Sequence, residues 1–271
     1  MMPRLSHRLS MRHLAWGTAF AALALTATAV PSGQTDPNAA IPCSQIATWA
    51  QLKAALVAAR SQANGGFNLD MWGAIVNRDG IVCAIAFTGS DRGAQWPGSR
   101  VISAQKANTA NSFSLGGLAL STANLWAAVQ PGGTLFGLQE SNPVETANAY
   151  SEPSTAFGFE NDPLVGKKIG GVNVFGGGLA LYNASGTIVG GIGVSGDTSC
   201  ADHNIAWRTR NNLNLDFVPG GVSGVAKHGD NINYKGAVPV PSLANDFSHP
   251  TCAIAGVDSA SAISAALPLT K

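Results

Sequence analysis

Charge is what this chain has least of. Of its 271 residues only 11% are charged, and 16 basic against 15 acidic side chains leave a formal charge of +1. No basic stripe is available to follow a phosphate backbone, which excludes a nucleic-acid binder. A charge-rich disordered chain and a long coiled coil are excluded on the same ground. Closely spaced Cys/His sets and an HExxH pattern are missing, so a protein-built zinc site is not expected. The run Gly176-Gly177-Gly178 has neither the Lys and Ser/Thr of a phosphate loop nor a GxGxxG opening a helix. A nucleophile elbow fails too. Gly193-Val194-Ser195-Gly196 begins a GxSxG pattern, but Asp197 stands where the tight turn needs its second glycine.

What is present starts with a leader. Arg4, Arg8 and Arg12 precede an apolar run from Leu14 to Leu25, and small residues follow at Ala27 and Ala29. This is the pattern of a signal peptide over residues 1–29, cut after Ala29. The run is shorter than the ~20 apolar residues that span a bilayer, and no second long run follows, so no membrane insertion is expected after cleavage. Removing residues 1–29 leaves 13 basic against 15 acidic side chains. Cys43, Cys83, Cys200 and Cys252 all survive. An even number in an exported chain predicts two disulfides and a periplasmic or secreted location. Three pairings are possible. Cys200–Cys252 is favoured, because each lies in a polar, loop-like context near a histidine, and Cys43–Cys83 then remains. Cys83 as a free core residue is the alternative.

Along the mature chain, residues 30–45 read as a linker. A helix is predicted from Thr48 to Gln62, with capping-box spacing at Thr48 and Gln51. Strands follow at Trp72–Asn77 and Ile81–Phe87 around Asp79-Gly80, a hairpin signal. Both are apolar at nearly every position, which predicts helices on both faces. Ser99 is expected to cap a helix reaching Phe113, and a short helix is expected from Ser121 to Val129. Residues 130–170 read as a long inserted loop with a short strand at Leu135–Leu138. Strands at Val172–Val174, Leu179–Tyr182 and Ile188–Val194 precede a helix from Cys200 to Asn211. Residues 213–271 read as an extension that packs on the domain or on a neighbouring subunit.

With so few charges, those near turns stand out. Asp91 and Arg92 follow the second strand, and Lys106 sits on a largely uncharged helix. Arg92 can bind a carboxylate bidentately and Lys106 can act as a point charge. Trp96 can wall an apolar cavity, and Gly177 allows close backbone approach to a flat ligand. The mature histidines are His203, His228 and His249. His203 opens a helix directly after the glycine-rich strand, a place suited to a pocket lip, and is the candidate metal ligand.

The segments SRVISAQKANTANSF and GGGLALYNASGTIVGGIGVSGDTSCADHNIA resemble the GlcG/HbpS-like family, also called haem-degrading or haem-binding domains and found at the end of PduO-type proteins. The KA-x-TA core matches Lys106-Ala107 and Thr109-Ala110. The G-x-I-G-V-S-G motif is matched at Gly191 to Gly196, and the acidic helix start at Asp202. The resemblance covers roughly 48–212. It implies an α/β (α+β) profilin-like sandwich, with a central mainly antiparallel sheet covered by helices, over residues 46–212. It also implies a homo-oligomer and an exported protein that binds haem or a similar flat anionic cofactor. Arg92, Trp96, Lys106, Gly177 and His203 would contact that cofactor, with His203 on the iron. Two further readings stand beside this one. One is an enzyme on a small carboxylated or carbonyl compound, with Asp91 or His203 moving a proton. The other is a structural or partner-binding envelope protein.

Overall fold

The computed structural model describes residues 41–234, 247–252 and 259–271. The signal peptide expected at 1–29 and most of the expected linker lie outside the described residues.

Thr48 starts the first helix, α1 (Trp49–Arg60), through a complete capping box. Its hydroxyl accepts from the Gln51 amide at 3.2 Å, and the Gln51 side chain accepts from the Thr48 amide at 2.8 Å. Strands β1 (Trp72–Asn77) and β2 (Val82–Phe87) form the expected hairpin. The Asn77 side chain closes it by accepting from the amides of Asp79 and Ile81. Helix α2 (Ser99–Ser112) follows. After the inserted segment, which carries the single-turn α3 (Thr146–Ala149), come β3 (Gly178–Tyr182), β4 (Ile188–Ser195) and α4 (Ser199–Asn212). A short α5 (Ala260–Ser264) belongs to the C-terminal extension. The four strands make one antiparallel sheet in the order β2-β1-β4-β3.

Helices cover both faces, as two-sided apolar strands require. Leu52, Leu56 and Ala59 of α1 and Ile205, Ala206 and Trp207 of α4 pack on Ile75, Leu179, Leu181, Ile192 and Val194. On the other face, Val101, Ala104 and Ala107 of α2 pack on Trp72, Ala74, Val76 and Ile85. The inserted segment completes that second face with Ala149, Leu164 and Ile169. Arg100 fastens it: the guanidinium pairs with Asp162, donates to the Ala149 carbonyl at 2.8 Å and stacks 3.7 Å from the Phe157 ring.

The helix α2 lies unusually close to β4. A Cβ on Gly193 would stand 1.9 Å from the Ser103 carbonyl oxygen, so only glycine admits the helix backbone there. Two disulfides are formed. Cys43–Cys83 ties the turn before α1 to β2, and Cys200–Cys252 ties the start of α4 to the C-terminal extension.

Four local expectations are corrected. Ser99 does not cap α2: Gly98 occupies that place and Ser99 is already helical, its hydroxyl accepting from Ser195. Residues 121–129 form turns with only a 3₁₀ turn at Ala127–Val129. Ser121 and Asn124 spend their side chains on each other's backbone, which competes with helix formation. Leu135–Leu138 is a run of turns, its first amide donating back to the Ala128 carbonyl. Residues 172–174 form no strand, because the Asn173 amide goes to the Thr109 hydroxyl instead of to a neighbouring strand.

Replacing Gly193 by Val should lower stability by about 1–3 kcal/mol or more through overpacking. Gly98→Ala, where an added Cβ meets nothing within 4 Å, should leave the unfolding midpoint nearly unchanged. Equilibrium denaturation of the two variants checks this.

Candidate functional site

The chain leaves β4 at Ser195 and turns through Gly196 and Asp197 into α4. Asp197 holds the turn: its carboxylate accepts from the amides of Phe67 at 2.8 Å, Leu69 at 2.9 Å and Thr198 at 2.6 Å. Thr198 caps the helix. One turn later Asp202 points back, accepting from the Asp197 amide at 2.9 Å and from Lys106 Nζ at 2.8 Å. Lys106 arrives from α2, donates also to the Val194 carbonyl at 3.0 Å, and lies 4.3 Å from the centre of the Phe175 ring. Both partners are buried. Burial lowers the Lys106 pKa, and it pushes Asp202 up to about 6 against the attraction of Lys106. Gly177, with φ +119°, makes the pair fit: a Cβ there would stand 2.3 Å from the Val194 carbonyl and 2.9 Å from Lys106 Nζ.

The next residue of α4, His203, is fully buried, so it is an interior group and not a pocket lip. On its helix face it neighbours Trp207, ring centres 6.1 Å apart, and then Arg210, whose guanidinium lies over Trp207. The C-terminal extension closes over that face. Arg210 pairs bidentately with Asp230, His228 meets Trp207 edge-on at 5.3 Å, and Asn231 stands beside the His203 ring. Asn231 spends its amide on Ser264 and on the Ile232 backbone. Among the described residues neither ring nitrogen of His203 has a partner at full hydrogen-bond geometry, and the Asn231 side chain beside the ring supplies only a weak polar contact. Burial first, then the charges of Arg210, His249 and Lys106, hold its pKa well below the usual histidine value. The result is a neutral, buried imidazole whose nitrogens are at most weakly engaged, by Asn231, and neutral is the form in which histidine ligates metal.

The other residues singled out from sequence lie elsewhere. Asp91, Arg92 and Trp96 are exposed on the loop after β2. Arg92 donates to the Ser154 carbonyl at 2.8 Å and Asp91 accepts from the Gly93 amide at 2.7 Å. The Gly93 amide first, then the Ser90 hydroxyl, hold the Asp91 carboxyl below its usual range. The structure thus brings Lys106, Gly177 and His203 together around the start of α4 and does not bring Arg92, Trp96 or Asp91 to them. Clefts of about 540, 400 and 320 Å³ among the described residues are lined by none of these six residues. The 320 Å³ cleft is lined by His228, Asn231, Ile232 and Tyr234, so Asn231 lies both beside His203 and on that cleft. His249 is brought close enough for its charge to act on His203, as the Cys200–Cys252 pairing required. Asp197 and Asn231 were not visible as site residues: Asp197 read as a spoiled elbow, and Asn231 lies in a stretch without periodicity.

Two predictions follow from these charges. Lys106→Met should cost about 3–5 kcal/mol by stranding a buried carboxylate. The loss should shrink at pH 5, where Asp202 can protonate. The second concerns acid stability. His203, and His249 whose pKa burial lowers to about 4, refuse protons that the unfolded chain accepts below about pH 6.5. Stability should therefore fall as pH drops from 6.5 toward 4, by about 1.4 kcal/mol per pH unit for each such proton. Asp202 opposes this with one proton over part of that window, since its raised pKa favours the folded state as pH falls. Denaturant titrations at several pH values should give a flatter profile for His203→Gln than for wild type.

No curated protein matches the chain. Among solved structures, a PduOC:haem complex is 23% identical, covering 65% of this chain and 96% of its own, with a TM-score of 0.44. The Klebsiella pneumoniae protein ORFY is also 23% identical, covering 67% and 95%, with a TM-score of 0.44. Streptomyces reticuli HbpS, as a double mutant, is 18% identical, covering 68% and 93%, with a TM-score of 0.39. The family described as haem degrading protein HbpS-like matches residues 47–210. That span holds the whole sheet, α1, α2 and α4 with the Lys106–Asp202 pair, and the chain belongs to the HbpS-like family.

Proposed function

We propose that this is an exported protein that binds haem, or a flat anionic cofactor of similar shape, with His203 as the ligand to iron. One observation carries the assignment of the ligand: a neutral, buried imidazole with no full hydrogen bond to either ring nitrogen among the described residues, only the Asn231 side chain beside it. A buried polar group without a partner is costly, and a native structure keeps one where function uses it. The family supplies the ligand class, since its description is that of a haem-degrading protein. His203 fits iron by donor chemistry. Asn231 lies beside it and on the 320 Å³ cleft, which is the proposed approach.

Haem bound there would bring a redox-active iron. The residues of this chain have simpler tasks. Asn231 and the 228–232 segment exclude water from His203 and must yield to a ligand. Lys106, Asp202 and Gly177 fix the first turn of α4 and so the direction of the His203 ring. Arg92 and Trp96 would touch a ligand only at a separate exposed surface. Two disulfides suit an oxidising compartment. Among the described residues no helix is long and apolar enough to cross a membrane. A homo-oligomer is part of the same proposal, in keeping with the family resemblance.

Titrating haem into the disulfide-intact protein should give a saturable Soret shift. His203→Ala should abolish that shift while leaving the far-UV spectrum unchanged, and Arg92→Ala and Trp96→Ala should retain it. An unaltered shift in His203→Ala, or its loss in Arg92→Ala alone, would reject His203 as the ligand.

A further inference from the structure

The start of α4 carries a second cluster that neither the haem reading nor the ion pair uses. The hydroxyl of Ser199 lies 3.2 Å from Nε2 of His249. Nδ1 of the same ring lies 2.7 Å from the Pro250 carbonyl oxygen. A carbonyl only accepts, so Nδ1 carries the proton. In the neutral ring Nε2 is then the bare acceptor for the Ser199 hydroxyl, which also lies 3.5 Å from the disulfide sulfur of Cys252, a weaker acceptor. This is a nucleophile, a base and a third group that sets the tautomer of the base. Ser195, in the incomplete elbow motif, is buried and donates to Ser99 instead.

Several constraints hold the cluster. Cys200 follows Ser199 directly and is bonded to Cys252, three residues beyond His249. The Ser248 carbonyl accepts from the Ala127 amide at 3.1 Å, and the His249 amide donates to the Asn233 carbonyl at 3.0 Å. His249 is buried whereas Ser199 is half-buried. Ser199 is also the first residue of a 14-residue helix. The half-buried Trp126, with its ring centre 6.0 Å from that of His249, offers one apolar wall.

We infer that Ser199 and His249 form a nucleophile–base pair that hydrolyses small carboxylic esters with short, uncharged acyl groups. Ser199 Oγ forms a bond to the ester carbonyl carbon while its proton passes to His249 Nε2. The ester C–O bond breaks, and the alcohol leaves with that proton. Water then attacks the acyl-serine with His249 again as base, releasing the carboxylic acid and restoring the hydroxyl. No metal, cofactor or oxidant enters the balance, so the activity is independent of haem and its failure would leave the haem reading untouched.

The test uses the disulfide-intact, haem-free protein with p-nitrophenyl acetate as substrate and a fluorophosphonate as covalent probe. The expected result is hydrolysis above buffer and a phosphonyl adduct on the peptide bearing Ser199. Ser199→Ala and His249→Ala should lose on the order of 100-fold or more in kcat/KM. Ser195→Ala should keep both hydrolysis and labelling. Ser199→Ala alters one half-buried hydroxyl, so an unchanged thermal unfolding curve separates lost chemistry from lost fold. Hydrolysis by Ser199→Ala at the wild-type rate, an adduct on another residue, or no adduct at all would overturn the inference.

Discussion

The approach of α2 to the glycine-lined strand β4 is the constraint on which the rest of the molecule depends. Because Gly193 has no side chain, the helix backbone comes down onto the sheet where a methyl group would already collide. That depth lets Lys106 reach the Val194 carbonyl and then Asp202 at the start of α4. Gly177 clears the remaining space around the ammonium group. Two runs of glycines, one in β4 and one ahead of β3, thus join a helix on one face of the sheet to a helix on the other. The direction of α4, and of every functional side chain on it, follows from that junction.

Scarcity of charge takes on meaning once the pairs are located. Arg100–Asp162, Lys106–Asp202 and Arg210–Asp230 are all buried, and each joins segments far apart in sequence. Buried pairs of this kind add little net stability over apolar packing, but breaking one strands a charge. Arg100 holds the inserted segment on the sheet, Lys106 holds α4, and Arg210 holds the C-terminal extension. The extension is secured again by Cys200–Cys252 and by the Trp207 indole, which donates to the Pro268 carbonyl at 2.8 Å. It covers the His203 face and delivers His249 to Ser199. Residues outside the family span therefore decide which side chains near α4 are sealed and which are reachable.

Much of the fold was legible. The first helix, the hairpin, β3, β4 and α4 combine a regular apolar pattern with an explicit boundary signal, such as the Thr48–Gln51 box or Asp79-Gly80, and local chemistry alone places them. Both disulfides follow the favoured pairing. Where the pattern is apolar but unbounded, as at 121–138, side-chain hydrogen bonds and contacts from the extension overrode it. The site was legible only by residue type. Lys106, Gly177 and His203 stand out in sequence and do cluster, but their partners Asp202, Asn231 and Val194 come from other elements. Arg92 and Trp96 stand out equally and face solvent, because a loop residue's prominence in sequence says nothing about which way its loop folds.

By itself the sequence determined the alternation of helix and strand, the glycine strand and the family resemblance, since these rest on periodicity, capping and local sterics within a few residues. Only the tertiary structure decided that Lys106 is spent on Asp202, that His203 is an interior group without a full hydrogen bond among the described residues, and that Ser199 rather than Ser195 meets a histidine. Each of these depends on contacts between residues from about 30 to almost 100 positions apart. Burial and charge compensation are properties of such contacts, and no local pattern encodes them.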